Sequence, residues 1–567
     1  MKKLINDPRH IVREALEGLV DTNNHLALVE GENIVIPRDL PGLDARPVAV
    51  LSGGGSGHEP AHAGYVGTGM LTAAVAGDVF TSPSVDAVLA GILSVAGPAG
   101  ALLVVKNYTG DRLNFGLAAE LARDKGIPVE VVLVADDVSL RDMVTPERRR
   151  GIAGTVFVHK IAGAAAAKGW PLKKVVAVAT RAAATVGSMG VGLGACTVPS
   201  AGTPSFTLGE TEVEYGLGIH GEKGVRRVGL KTANEVVDDI LQEILAELPT
   251  DAGPVALLVN GLGATPPLEL QIVARHALAT LRAKGLTPVR TWAGNFMTAL
   301  EMPGCSLSVL PLDDELLELL DAPCNAPAWP ASDGRLTESR KTVPAPKGLT
   351  VDLASVPAGP LTIKLRQVAT CVAQALIAAE AELGELDAKA GDGDLGASMA
   401  RGGQALLELP GEAYHTPNLF FAALAQGMRR AIAGSSGPFY AVGLVRASRE
   451  LADVAQPTPA QWQAAFAAAL DAVMEMGGAK PGDRTMVDAL SAASDTWQSA
   501  LKAGANGIDA FNQAVDAAVQ AAEATAHMQP RLGRASYLGE RAIGIPDGGA
   551  VAVTCWLNAL RKGLAAS

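Results

Sequence analysis

The sequence predicts two kinds of domain in one chain: an α/β region over residues 1–335 and an all-helical region over residues 353–567. Three observations carry this. Short β-branched runs alternate with helical spacing in the first part. Alanine dominates the second part, where apolar residues step by three and four. Between them, Pro323, Pro327, Pro330, Pro344 and Pro346 stand among Ser, Lys, Arg and Gly. That composition makes a semi-stiff connection, and the linker proper is set at residues 336–352.

Residues 1–185 form the first α/β unit. Pro47–Ser52 is a buried strand running into glycines, Ala101–Lys106 a second and Val129–Val134 a third. Between the last two, Leu113, Leu117 and Leu121 recur every four residues as a helix face, closed by Lys125–Gly126. Strand, helix and strand at this spacing imply a parallel sheet. Residues 186–335 open on a Gly/Ser/Thr/Pro-rich stretch and return to alternation, with a strand at Pro254–Asn260 and a helix over Glu269–Leu281. Two α/β units in tandem and one split layer both satisfy this pattern. In the helical region, Leu361, Leu365, Val368, Val372, Ala375, Ala379 and Leu383 form one stripe, and the spacing recurs around 461–475 and 508–526.

The composition narrows the function. The 567 residues are 48% hydrophobic and 19% charged, enough apolar material for several cores. A net charge of −12 with 4% aromatics argues against nucleic-acid binding, which needs a basic face and stacking rings. Cys196, Cys305, Cys324, Cys371 and Cys555 are scattered without a C-x-x-C, so neither a disulfide framework nor a thiolate metal site is expected. Asp7, Pro8 and Arg9 precede any long apolar run, unlike a signal peptide, and no stretch matches a membrane span. The expectation is a cytoplasmic protein without nucleic-acid or membrane partners.

Four constellations could carry chemistry. Gly53-Gly54-Gly55-Ser56-Gly57-His58-Glu59-Pro60 follows a strand, where bare amides can wrap a small polar ligand. By itself the run also reads as a tight turn, and His58 stands where a dinucleotide fingerprint needs glycine. Lys106 and Asp111 sit beyond the end of the second strand, where ligands of open α/β sheets bind, although Asp111 could equally cap a helix. In Gly216-Leu217-Gly218-Ile219-His220-Gly221-Glu222, glycine neighbours leave the His220 ring open to a ligand, as a nucleophile, a base or a plain loop residue. Asp387, Asp392 and Asp394 crowd three carboxylates into eight residues, which suits Mg²⁺. The order is not that of an EF-hand.

The helical region holds further glycine-rich helix entries: Gly434-Ser435-Ser436-Gly437, Gly477-Gly478 through Asp483-Arg484-Thr485, and Gly533-Arg534-Ala535-Ser536. Helix N-termini are anion sites, and Arg484 and Arg534 could add charge against a polyphosphate. Arg484 could instead pair with Asp488. Neither a P-loop nor the protein-kinase motif set is present. The residues alone suggest phosphoryl transfer to a small polar ligand held near His58, Lys106, Asp111 and His220.

The chain resembles the single-chain, ATP-dependent dihydroxyacetone kinases. The resemblance rests on GGGSGHEP (53–60), GDVFTSPS (77–84), KNYTGDRLNFGLA (106–118), RGIAGT (150–155), GLGIHGE (216–222), LDAKAGDGD (386–394), GSSG (434–437), GGAKPGDRTM (477–486) and GRASYL (533–538). It implies a two-part K-type substrate domain of α/β structure, followed by an L-type nucleotide domain that is a closed barrel of antiparallel helices. It further implies a covalent hemiaminal between His220 and the substrate ketone. Gly54, Gly55, His58, Lys106 and Asp111 would hold the substrate, with Asp111 as base and His58 as its helper. Asp387, Asp392 and Asp394 would bind two Mg²⁺ ions gripping the phosphates of ATP. Asp394, Leu395, Gly396, Ser435, Ser436, Gly478, Arg484, Met486, Arg534, Asp547 and Gly548 would line the nucleotide. Leu395 stands where the family often has threonine, and Pro546-Asp547-Gly548-Gly549-Ala550 replaces its Asp-Pro-Gly-Ala. Erythrulose or glyceraldehyde as substrate, or a carrier-protein-dependent phosphotransfer module, are the competing expectations. The linker's reach implies a homodimer.

Overall fold

The computed structural model describes the chain except residues 1, 250–252, 338, 345, 347–350, 352, 354, 355, 392, 433–435, 533–535, 537, 538 and 567. It divides into two compact units, Met1–Lys341 and Thr342–Ser567.

The first unit contains two separate six-stranded sheets, which resolves the alternative left open above. Strands β1 (Leu26–Leu28), β2 (Ile34–Pro37), β3 (Ala49–Ser56), β4 (Ala73–Val79), β5 (Ala101–Lys106) and β6 (Val129–Val134) lie in the order β1-β2-β4-β3-β5-β6. The pairs β3–β4, β3–β5 and β5–β6 are parallel, as the strand–helix–strand spacing predicts. The second sheet takes β7 (Gly187–Gly192), β8 (Glu212–Tyr215), β9 (Arg226–Gly229), β10 (Pro254–Gly261), β11 (Thr287–Gly294) and β12 (Gly304–Pro311) in the order β11-β10-β12-β7-β8-β9. Only β10–β11 is parallel there.

Helix α1 (Ile11–Asp21) begins the unit, and α2 (Val85–Val95) and α3 (Thr109–Asp124) cover one face of the first sheet. Its other face is covered by α4 (Thr155–Ala167) and α5 (Leu172–Thr185). Every residue of α4 from Thr155 to Ala166 is buried, because the helix lies in the core shared by both sheets. A helix this apolar is stable only in such a place, and its one cation, Lys160, donates to the carbonyls of Leu319 and Ala322. Helices α6 (Ala233–Leu245) and α7 (Pro267–Ala283) cover the outer face of the second sheet, and α8 (Asp314–Asp321) packs beside α4.

The helix read from the leucine stripe is α3, and the stripe lies on its outer face. Leu113 and Leu117 are exposed, at 62% and 52%, and the buried face is Asp111, Phe115, Ala118, Ala119 and Ala122. Small residues face the sheet because the helix lies close to it, and the leucines are left outside. The five cysteines are free thiols, and no described helix is long and apolar enough to cross a membrane.

In the second unit the described residues form helices only. They are α9 (Thr362–Ala378), α10 (Glu380–Ala390), α11 (Leu395–Leu407), α12 (Pro417–Ala431), α13 (Ser436–Glu450), α14 (Pro459–Gly477), α15 (Met486–Lys502), α16 (Gly507–Ala524) and α17 (Gly548–Ala565), with short 3-10 turns between some of them. Successive helices pack on one another and α17 closes onto α9, making a ring. The leucine and valine stripe of α9 faces inward, where a cavity of about 710 Å³ is lined by Leu365, Val372, Leu424, Phe439, Phe466 and Trp556 among others.

Gly163 tests how tightly α4 is held. A Cβ there would lie 2.1 Å from the carbonyl oxygen of Met70. Gly163→Ala should cost the first unit about 1–3 kcal/mol, as overpacked cores do. A denaturation midpoint equal to wild type would show that α4 has room to move.

Candidate functional site

The chemistry of the first unit gathers where β3 and β5 end. A glycine run lets the last residues of β3 pass close to other groups. Gly54 adopts φ +142°, and a Cβ on it would sit 3.0 Å from Lys106 Nζ and 3.2 Å from a carboxylate oxygen of Asp111. Gly55 faces the other way, against the backbone of Phe80 and Thr81. Lys106 is the last residue of β5 and Asp111 lies in the first turn of α3, so both project beyond the carboxyl ends of parallel strands. Asp111 accepts a hydrogen bond from Ser82 Oγ.

Lys106 is fully buried, and its ammonium has no hydrogen-bond partner among the described residues. Burial depresses its pKa, while Asp111 and Glu222 work in the opposite direction. A buried cation without hydrogen bonds is costly, and ligand hydroxyls are the groups that would satisfy it. His58 has the same character. Its Nδ1 lies 2.8 Å from the carbonyl oxygen of Thr298, so Nδ1 carries the proton. Nε2 is left as an acceptor, buried and without a partner among the described residues. Burial, then Lys106 and His220, hold the His58 pKa well below its ordinary value, and the ring is neutral.

His220 arrives from the loop after β8. Its ring is boxed by Tyr108, Phe80 and His58, at centroid distances of 4.5, 5.2 and 4.8 Å. The second sheet's half also clamps the turn that carries His58: Leu300 N–H donates to the Gly57 carbonyl at 2.7 Å, and Thr298 Oγ1 to the Glu59 carbonyl at 2.8 Å. The residues expected from the sequence at Gly54, His58, Lys106, Asp111 and His220 thus lie together. They offer two imidazoles, one of them an acceptor at Nε2, with a carboxylate and an ammonium. Phe80, Tyr108, Ser82 and Thr298 were not singled out from the sequence. The first three lie inside quoted motifs, but nothing local marks Thr298, 240 residues from its partner.

In the second unit, the N-termini of α11, α15 and α17 meet. A Cβ on Gly548 would touch Leu395 at 2.8 Å, and one on Gly549 would lie 3.4 Å from Met486. Asp387, near the end of α10, accepts from Leu395 N–H at 3.3 Å, and Asp394 occupies the N-cap position of α11. A Cβ on Gly391 would lie 2.2 Å from Asp387 Oδ1, so the turn between these carboxylates admits no side chain there. Two hard oxygen donors beside a helix N-terminus suit a divalent cation with phosphate. Asp392, Ser435 and Arg534 lie outside the described residues. Ser436 opens α13, and Gly478 ends α14 with φ +69°. Gly396 packs its α-carbon against α10, where a Cβ would meet the Glu380 carbonyl at 2.0 Å.

Family models match both units: a Dak1 domain over residues 17–328 and a DAK2 domain over residues 389–562. A putative 3,4-dihydroxy-2-butanone kinase of Solanum lycopersicum is 43% identical, covering 98% of this chain and 97% of its own. A triokinase/FMN cyclase of Bos taurus is 43% identical over 99% and 98%. The crystal structure of the dihydroxyacetone kinase from C. freundii in complex with AMP-PNP and Mg²⁺ is 34% identical, covers 99% of each chain and superposes with a TM-score of 0.66.

The chain belongs to the dihydroxyacetone kinase family. It carries the K-type and L-type domains of that family in one polypeptide, and it is a kinase.

Arg484, expected to face a polyphosphate, is 1% exposed and adopts φ +61°, and its Nη1 has no partner among the described residues. Its guanidinium donates to the carbonyls of Thr525, Ala542 and Ile545 at 3.2, 3.0 and 2.8 Å. Nor does it form the alternative pair with Asp488, whose carboxylate accepts from Gly482 and Thr485 N–H at 2.5 and 2.8 Å. Arg484 therefore ties down the segment leading to α17. Asp547 caps that helix through Ala550 N–H at 2.8 Å, and burial raises its pKa to about 6 against the opposing charge of Arg484.

Arg484→Met should leave three buried carbonyls without their donor and cost about 2–4 kcal/mol. Limited proteolysis should then cut between Thr525 and Ile545. An unchanged unfolding midpoint and cleavage pattern would contradict the tie.

Proposed function

We propose that the protein transfers the γ-phosphoryl group of ATP to a terminal hydroxyl of dihydroxyacetone, or of a closely related short ketose, held as a hemiaminal on His220. The observation that carries this is the pair of orphaned buried groups, Lys106 Nζ and His58 Nε2, beside Asp111 and His220. Substrate hydroxyls would complete their hydrogen bonding. Selection follows from chemistry: addition of His220 to a carbonyl excludes glycerol and every other polyol, which hydrogen bonds alone discriminate poorly. In the addition, a ring nitrogen bonds the carbonyl carbon and the C=O π pair moves to oxygen, which takes up a proton. The adduct also fixes the terminal hydroxyl, removing orientational entropy.

Asp111 would take the proton of that hydroxyl as its oxygen attacks the γ-phosphorus and the bond to ADP breaks, with His58 assisting. Asp387, Asp392 and Asp394 would hold Mg²⁺, which when bound neutralises charge on the phosphate oxygens. The relatives' names include a triokinase and a 3,4-dihydroxy-2-butanone kinase, which supports a three- to four-carbon substrate range. Both domains in one chain favour free ATP over a carrier protein. The functional unit is proposed to be a homodimer.

A coupled assay with ATP and no carrier protein, run over a panel of short ketoses, aldehydes and glycerol, tests the reading. Activity should fall on ketoses and fail on glycerol. His220→Ala should lose at least about 10²-fold in activity, with nucleotide binding unchanged. A fully active alanine variant, or an unattached planar ketone in a resolved complex, would remove the covalent role. Asp394→Asn should abolish ATP turnover and leave ketone binding intact. Normal Mg²⁺-dependent activity in that variant would refute the metal assignment.

A further inference from the structure

A chain of charged groups runs behind His220, and the substrate reading assigns it no role. Glu222 folds back onto the residue two before it. Its Oε2 accepts from the His220 backbone N–H at 2.8 Å, and its Oε1 lies 3.7 Å from His220 Nδ1. The second distance exceeds a hydrogen bond, as catalytic contacts often do before ligand binds, and a small side-chain rotation closes it. This fold-back is possible only because residue 218 is glycine: a Cβ there would sit 2.0 Å from Glu222 Oε1 and 2.2 Å from its carboxyl carbon.

The carboxylate is held in turn. Arg150 Nη1 lies 3.9 Å from Glu222 Oε1. The same guanidinium donates to Asp137 Oδ2 through Nε at 2.9 Å, and to the Gly216 carbonyl through Nη2 at 2.7 Å. Asp137 is fully buried and also accepts from Ser139 Oγ at 2.5 Å. Burial would raise the Glu222 pKa, but His220 and then the charge of Arg150 lower it to about 2, so the group is a carboxylate throughout the physiological range.

We infer that Glu222 is the positioning residue of the nucleophile: it fixes the proton of His220 on Nδ1, leaving the Nε2 lone pair for the carbonyl carbon, with Arg150 and Asp137 holding the carboxylate in place. The inference deepens the hemiaminal reading and rests on it for its catalytic consequence. It has a chemical balance. As the Nε2–C bond forms, the C=O π pair moves to oxygen, which takes a proton from solvent, and the ring keeps its Nδ1 proton as an imidazolium paired with Glu222. A carboxylate at Nδ1 stabilises the charged stage, as the acid of a nucleophile–base–orienter set does. Asp111 and Lys106, on the substrate side, do not touch Nδ1.

Glu222→Gln gives a sharp test. The His220 N–H needs an acceptor, so the new side chain's oxygen turns to it and its NH₂ turns to Nδ1. An amide donor there demands an unprotonated Nδ1, and the tautomer inverts. The full chain labelled with ¹⁵N-histidine has nine such residues, and the spectrum of His220→Ala assigns the one in question. Long-range proton–nitrogen correlation should show His220 protonated at Nδ1 in the wild type and at Nε2 in Glu222→Gln. With ketone ¹³C-labelled at C2, the tetrahedral adduct signal of the wild type should weaken. KM for the ketone should rise roughly tenfold, the worth of one hydrogen bond to a charged group, while kcat changes less. Gly218→Ala, which expels the carboxylate without altering it, should reproduce the effect, and Glu222→Asp should restore part of the loss. A wild-type ring protonated at Nε2, or an unchanged tautomer and KM in Glu222→Gln, overturns the inference. A wild-type ring protonated at Nδ1 that forms no adduct supports the tautomer assignment and refutes the covalent reading alone.

Discussion

The hydrogen bond from His58 Nδ1 to the Thr298 carbonyl joins segments 240 residues apart, and the substrate-side chemistry depends on it. It sets the tautomer of His58 and so makes Nε2 an acceptor. It also docks the glycine turn of the first sheet onto a loop of the second. That turn could otherwise rotate, since Gly57 beside it has φ +99°. Two sheets sharing the buried helix α4 supply the rigidity that makes the docking reproducible. Packing, docking and protonation state therefore form one causal series. The core fixes the sheets, the sheets fix the two loops, and the loops decide which ring nitrogen faces the ligand.

Much of this was legible in the sequence, for identifiable reasons. Strands such as Ala101–Lys106 are buried on both faces and read as continuous apolar runs, so their positions and parallel pairing followed from local pattern. Lys106 and Asp111 were legible because a strand end is a fixed place in such sheets. The leucine stripe marked α3 as a helix but not its buried face, because periodicity reports which residues share a face and is silent on which face is covered. Close approach to a sheet favours alanine, and the larger side chains were left outside. Arg484 was ambiguous for a related reason. A guanidinium near a glycine-rich helix entry can serve a phosphate or buried backbone carbonyls with equal chemistry, and its carbonyl partners at Thr525, Ala542 and Ile545 lie far along the chain. The antiparallel pairing of most of the second sheet was likewise invisible to spacing, since it depends on β12 entering between β10 and β7.

The L-type domain solves a different problem with repeated local means. Up-and-down helices joined by short turns return every second N-terminus to one end, so the ends of α11, α15 and α17 converge without long-range design. Each brings the positive end of a helix dipole. An anion with several oxygens can use them together, while the carboxylates at Asp387 and Asp394 would be repelled by it unless a cation intervened. That opposition between helix ends and acidic turns supports the proposed metal–phosphate site.

Charge balance separates the two functions assigned to the K-type domain. Lys106 faces Asp111 on the ligand side, and Arg150 faces Asp137 behind the nucleophile. Glu222 is the third carboxylate, partly exposed and near Arg150 as well as the His220 ring, and against the effect of burial these two hold its pKa down to about 2. A carboxylate kept ionised in this way adds to the stability of the free protein at neutral pH, and the Gly218 approach shows how closely the chain is shaped to accommodate it. On the proposed hemiaminal reading, positive charge would grow on the ring beside it, and only the attraction in excess of the resting one would favour the adduct. A polyol would form no such adduct, so the residue proposed to orient the nucleophile would also favour a ketone over its reduced counterpart.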